Sequence, residues 1–68
     1  MTAFVYYKTR KNILRCYTSC TPKQMWEDID KVLSKGYTVT EVQVWDGLGT
    51  SYFTLHYDAQ GEPLLRKF

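Results

Sequence analysis

The sequence predicts a small α+β domain: a two-layer sandwich with one amphipathic helix on one face of an antiparallel-rich sheet of four to five strands, in the order β-β-α-β-β-β. Three observations predict it. Residues 22 to 35 carry helical periodicity between clear start and stop signals. Two runs rich in Val, Ile, Tyr and Thr, the strand-forming residues, precede this segment, and three β-type runs follow it. A single apolar stripe can cover only one face of a sheet, and nothing else in the 68 residues is available for the other.

The first two strands are expected at residues 3 to 9 and 13 to 19. Arg10, Lys11 and Asn12 make the turn between them, with Asn12 suited to a positive φ. The helix opens on Thr21 as N-cap, has Pro22 in its first turn, and carries Gln24 in the T-x-x-Q spacing of a capping box. Met25, Trp26, Ile29, Val32 and Leu33 form one buried stripe. Glu27, Asp28 and Asp30 are expected on the solvated side, and Gly36 ends the helix. Residues 37 to 45, 51 to 58 and 64 to 68 read as the remaining strands, with turns at 46 to 49 and 58 to 63 and Gly61 in a left-handed position. The whole chain reads as a single domain, 1 to 68, with no repeat and no linker.

Strand alternation then assigns faces. Toward the helix go Leu14, Cys16 and Thr18, then Val42 and Val44, then Phe53, Leu55 and Tyr57, while the first strand is ambiguous and places Phe4, Tyr6, Lys8 and Arg10 outward only if Val5 and Tyr7 turn inward. Val39 breaks the alternation of its strand, which predicts a bulge near Thr40. The opposite, uncovered face is expected to hold Phe4, Tyr6, Lys8, Arg10, Arg15, Tyr17, Trp45, Tyr52 and His56, an aromatic patch bordered by cations. Exposed apolar area of that size marks contact sites, and Tyr, Trp and Arg are enriched where binding energy concentrates.

Charge is divided along the chain. Residues 1 to 20 hold Lys8, Arg10, Lys11 and Arg15 and no acid, for +4, whereas residues 36 to 62 hold Glu41, Asp46, Asp58 and Glu62, for −4. The bland expectation is that the two hairpins lie side by side and compensate.

Composition narrows the function classes. A chain this short leaves little room for a deep small-molecule pocket beside its core. The single His56 has no orienting partner in evidence, and Asp46-Gly47-Leu48-Gly49 is a turn rather than a phosphate loop. Cys16 and Cys20 are expected to be reduced thiols, Cys20 the more reactive because it precedes the helix N-terminus. No catalytic residue, cofactor or metal is expected. No apolar window is long enough for a membrane span, and no signal-peptide pattern opens the chain, so the expected compartment is the cytoplasm.

The expected function is that of a small non-enzymatic interaction protein, an inhibitor or regulator of the size class encoded by phages and other mobile elements. It would bind a protein partner, or a second copy of itself as a homodimer, through Tyr6, Lys8, Arg10, Arg15, Tyr17, Trp45, Tyr52 and His56. The alternative is a nucleic-acid-binding module using the same face, with Tyr6, Tyr17 and Tyr52 stacking bases and Lys8, Arg10, Lys11 and Arg15 holding phosphates. A third reading makes the aromatics ordinary sheet surface, with Arg stems packed over Tyr rings.

Overall fold

The computed structural model describes all 68 residues. Its elements are β1 (Thr2–Lys8), β2 (Leu14–Ser19), α1 (Pro22–Ser34), β3 (Thr38–Trp45), β4 (Thr50–Tyr57) and β5 (Pro63–Lys67). The five strands form one antiparallel sheet in the spatial order β2-β1-β3-β4-β5, with α1 packed on one face. The expected α+β sandwich is therefore the fold. No helix is long and apolar enough to cross a membrane.

Local signals account for the elements. The Thr21 hydroxyl accepts from the Gln24 backbone N–H at 3.1 Å, and the Gln24 side chain reaches back to the Cys20 N–H at 3.3 Å. The box thus closes one residue upstream of its usual partner. The helix ends in a Schellman arrangement: Gly36 N–H donates to Leu33 C=O at 3.0 Å and Tyr37 N–H to Val32 C=O at 3.1 Å, with Gly36 at φ 74°. In the first hairpin the Thr9 hydroxyl accepts from Lys11 and Ile13 N–H, and Asn12 adopts φ 62°. The β1–β3 register slips between Tyr6 and Tyr7, leaving Thr40 as the bulged residue. Its hydroxyl donates to the Tyr6 carbonyl at 3.2 Å.

Nine residues are buried, and the seven apolar ones (Ala3, Val5, Tyr7, Met25, Ile29, Val32 and Val42) come from β1, α1 and β3 alone. The core is narrow because α1 lies over β1, β2 and β3 rather than over β4 and β5. Phe53, Leu55 and Tyr57 do lie on the helix side, in register with Val42 and the β5 residues. The helix axis lies away from them, so Phe53 and Leu55 pack against the edge of the core and stay half-buried, and Tyr57 is exposed.

The face assignment of β2 is the reverse of the expected one. Val5 pairs with Tyr17, Tyr7 with Arg15 and Ala3 with Ser19, and directly opposed residues share a face. Arg15, Tyr17 and Ser19 therefore turn toward the helix, and Leu14, Cys16 and Thr18 toward the open face. Tyr17 stacks on Tyr7 at 5.1 Å between ring centroids, and Lys31 Nζ lies over the Tyr17 ring at 5.9 Å. A second correction concerns Asp28, which is buried rather than solvated and sits 3.9 Å from Lys31 Nζ on the helix flank beside β2.

Two substitutions check this arrangement. Tyr17→Ala removes the ring that closes the β2 side of the core. It should cost about 2 kcal/mol, or roughly 10 °C in melting temperature for a domain of this size. A wild-type melting curve would return Tyr17 to the open face. Ser19 is buried with its hydroxyl unpartnered. An unsatisfied buried hydroxyl is costly, so Ser19→Ala should raise stability by about 1 kcal/mol. A clear loss instead would mean that the hydroxyl has a partner.

Candidate functional site on the uncovered sheet face

The face away from α1 is built from alternate residues of all five strands. Its central row runs Thr18–Phe4–Gln43–Tyr52 across β2, β1, β3 and β4. Phe68 extends the row, because its N–H donates to the Tyr52 carbonyl at 3.1 Å and its ring stacks on Tyr52 at 6.4 Å. Trp45 stands beside this row, paired with Thr2 on one side and Thr50 on the other. On the other side lie Cys16, Tyr6 and Glu41, then Leu14 and Lys8. Thr54, His56, Leu64 and Arg66 complete the β4–β5 corner.

No element covers these side chains. Trp45, Tyr52, Leu14 and Phe68 are 48%, 44%, 60% and 74% exposed, values usual for contact surfaces and not for packed cores. The polar groups on this face are paired locally. Gln43 Nε2 donates to Glu41 Oε2 at 2.7 Å, and the Thr54 hydroxyl and His56 Nε2 are 2.8 Å apart. Cys16 donates weakly to the Tyr17 carbonyl, and partial burial raises its thiol above the usual value, so the protonated form is favoured.

Of the predicted contact residues, the structure brings together Tyr6, Lys8, Trp45, Tyr52 and His56, with Phe4 beside them. Arg15 and Tyr17 belong to the other face, as their pairing with Tyr7 and Val5 dictates. Arg10 leaves the face as well. It lies in the hairpin turn, and its guanidinium packs against Gly36, where a Cβ would stand 2.8 Å from Arg10 Nη2. Leu14, Leu64, Arg66 and Phe68 were missed. The run Leu64-Leu65-Arg66-Lys67-Phe68 alternates, and that period already groups 64, 66 and 68.

The displaced cations gather at the hairpin end of the helix side. There Thr9, Arg10, Lys11, Ile13, Arg15 and Tyr37 line an open groove of about 380 Å³. Tyr37 also borders a second groove of about 240 Å³, lined by Leu33, Thr38, Val39, Leu55 and Tyr57. The Tyr37 ring is held nearly parallel to Tyr7 at 5.9 Å, so Tyr17, Tyr7 and Tyr37 form a three-ring ladder. Burial, and then the neighbouring Tyr17 side chain, push the Tyr7 phenol above its ordinary value, and Arg15 opposes them.

Comparison with protein-family models, curated proteins and solved structures gives no match in any of the three.

The raised Tyr7 pKa fixes a direction. A phenol whose folded pKa lies above its unfolded value of about 10 adds stability below that value and loses it as pH rises through the folded pKa. The stability of wild type relative to Tyr7→Phe should therefore fall as urea midpoints are measured from neutral pH to above about 10. A constant difference would show that Tyr7 ionises like a free tyrosine.

Proposed function

We propose that this chain is a non-enzymatic interaction protein, of the inhibitor or regulator type, that binds a protein partner through the open face of its sheet. One observation carries the reading. The sheet buries one side only, and the other carries Phe4, Tyr6, Leu14, Trp45, Tyr52 and Phe68 with no element over them, the last four of them exposed. Large aromatic rings supply contact area at low entropic cost, and they dominate interface energetics when a partner desolvates them.

Charge favours a protein over a nucleic acid on this face. Arg10, Lys11 and Arg15, the side chains suited to phosphates, are elsewhere. Glu41 stands near the centre, opposite Tyr6. Lys8 and Arg66 remain toward the rim, where they would steer an acidic partner surface. Two free, exposed cysteines favour a reducing compartment such as the cytoplasm, where such thiols persist. A second copy of the chain is the alternative occupant, because the same face can pair with itself about a two-fold axis.

The test replaces Trp45 and Tyr52 together by Asp. Both are exposed in the monomer, so the melting temperature should stay within a few degrees of wild type. Affinity for the physiological partner should fall by roughly a hundredfold or more, the effect of losing two aromatic anchors. Light scattering over a concentration series identifies self-association: a wild-type dimer that the variant converts to monomer makes the partner a second copy. Equal partner retention by both proteins, with a monomeric wild type, removes this face from the proposal.

A further inference from the structure

We infer that the basic groove at the β1–β2 hairpin is a second binding site, on the side of the sheet opposite the proposed protein-binding face, and that it takes single-stranded nucleic acid. The phosphates would lie among Arg10, Lys11 and Arg15, and a base would lie past Tyr37.

The charge is unusual for a groove of this size. Three of its six lining residues are cationic and none is acidic. The chain has one ion pair within 4.0 Å, Lys31–Asp28, so none of the three cations has a carboxylate partner. Nor does any of their side chains donate a hydrogen bond within the protein; Lys11 uses only its backbone N–H, in the turn. Two guanidinium forks and an ammonium therefore face solvent with their donors free, which is the requirement for anion capture. The hairpin's own geometry keeps acids away. Its backbone groups are satisfied by Thr9, so no Asp is needed in the turn.

The site is held in place. Gly36 leaves room for the Arg10 guanidinium to pack against the helix end, which limits the freedom of an otherwise mobile side chain. Arg15 is placed at the groove by the backbone pairing of its strand opposite Tyr7. Tyr37 follows the Schellman turn directly, and its ring is braced by Tyr7 and through it by Tyr17. Groups fixed before binding lose less entropy on binding.

The choice of ligand comes from what adjoins the cations. Tyr37 is the shared wall of the basic groove and of the neighbouring groove, which carries no charge and is lined by Leu33, Val39, Leu55 and Tyr57. A ligand that fills both needs repeated negative groups and, beside them, a flat apolar unit. A single strand offers both in each nucleotide, whereas a duplex keeps its bases stacked inside. Cations on phosphates and an aromatic ring for a base form the usual single-strand arrangement.

The experiment is a fluorescence-anisotropy titration of the full chain with a labelled 12-residue oligo-uridylate and its DNA counterpart. A duplex of equal length and a 12-residue poly-glutamate serve as competitors. Three phosphate contacts predict a salt slope of about −2, so affinity should fall roughly 20-fold between 50 and 200 mM salt. Lys11→Gln with Arg15→Gln should bring the slope to about −0.7, leaving one contact. Tyr37→Leu, which keeps an apolar wall, should weaken binding about tenfold with the slope unchanged. The Trp45→Asp, Tyr52→Asp protein should bind the oligonucleotide like wild type, which separates this site from the open face. Four outcomes overturn the inference. They are no binding at low salt, equal competition by duplex, equal competition by poly-glutamate, and loss of binding in the open-face variant with retention in the Lys11, Arg15 variant. Poly-glutamate competition would mark a site for acidic protein segments. The competition arms use wild-type protein, so they hold whether or not a variant folds.

Discussion

A helix about 10 Å across cannot cover a sheet whose outer strands stand about 19 Å apart, at about 4.8 Å per strand spacing. That mismatch governs the molecule. With 13 residues and one apolar stripe, α1 must choose a position on the sheet. It sits over β2 and β3, the strands that its own connections leave and enter, and over β1 between them. The central strand of that half, β1, supplies three of the seven apolar core residues, and β4 and β5 supply none. The second half of the sheet is held by its ladder to β3 and by half-buried Phe53, Leu55 and Leu65. A domain this small has no third layer to add, so its remaining apolar area must face solvent or a partner. The exposed face is thus a consequence of the two-layer arrangement before it is a matter of particular residues.

How much of this was legible in the sequence depended on which rule governed each element. The helix was readable because cap, stripe and stop all agree, from Thr21 to Gly36. The bulge at Thr40 was readable because Val39 and Val42 both demand the inner face and cannot share it without an extra residue. The orientation of β2 was misread because its side chains were sorted by polarity. Leu14 and Cys16 look like core, Arg15 like surface. Yet the expected turn already pairs Thr9 with Ile13, and that register opposes Tyr7 to Arg15 and Val5 to Tyr17. Once Val5 and Tyr7 are placed inside, pairing requires Arg15 and Tyr17 to follow. Polarity failed here because β2 is an edge strand beside the polar flank of the helix. An inward residue there meets Asp28 and Lys31 as well as apolar atoms, and long amphipathic side chains suit that place better than Leu.

The same correction rearranges the electrostatics. The basic first hairpin and the acidic second half are adjacent in the sheet, since β1 lies next to β3, but no ion pair joins them. The acids are occupied locally. Glu41 accepts from Gln43; Asp46 from the Leu48 and Gly49 N–H groups, which hold its carboxyl below the usual range; and Asp58 from the Gln60 and Glu62 N–H groups. These carboxylates shape turns and strand surface. Of the cations at the other end, Lys11 and Arg15 shape nothing and Arg10 only rests on Gly36. An uncompensated charge on a small domain carries a repulsive cost without a structural return, which is why such a cluster points outward to a ligand.

The tyrosine ladder connects the two halves of this picture. Tyr17 and Tyr7 close the core on the side where the helix turns polar, and Tyr37 continues the stack beyond the helix end to form the groove wall. Tyr37 ends the stack, so it is braced by Tyr7 on one side and lines both grooves. Tyr37 is therefore both the last residue of the core and the first of the groove. The Schellman turn that ends α1 sets its position. The groove wall accordingly inherits the stability of the core, and a ligand stacking on Tyr37 would be read by a surface that does not need to form on binding.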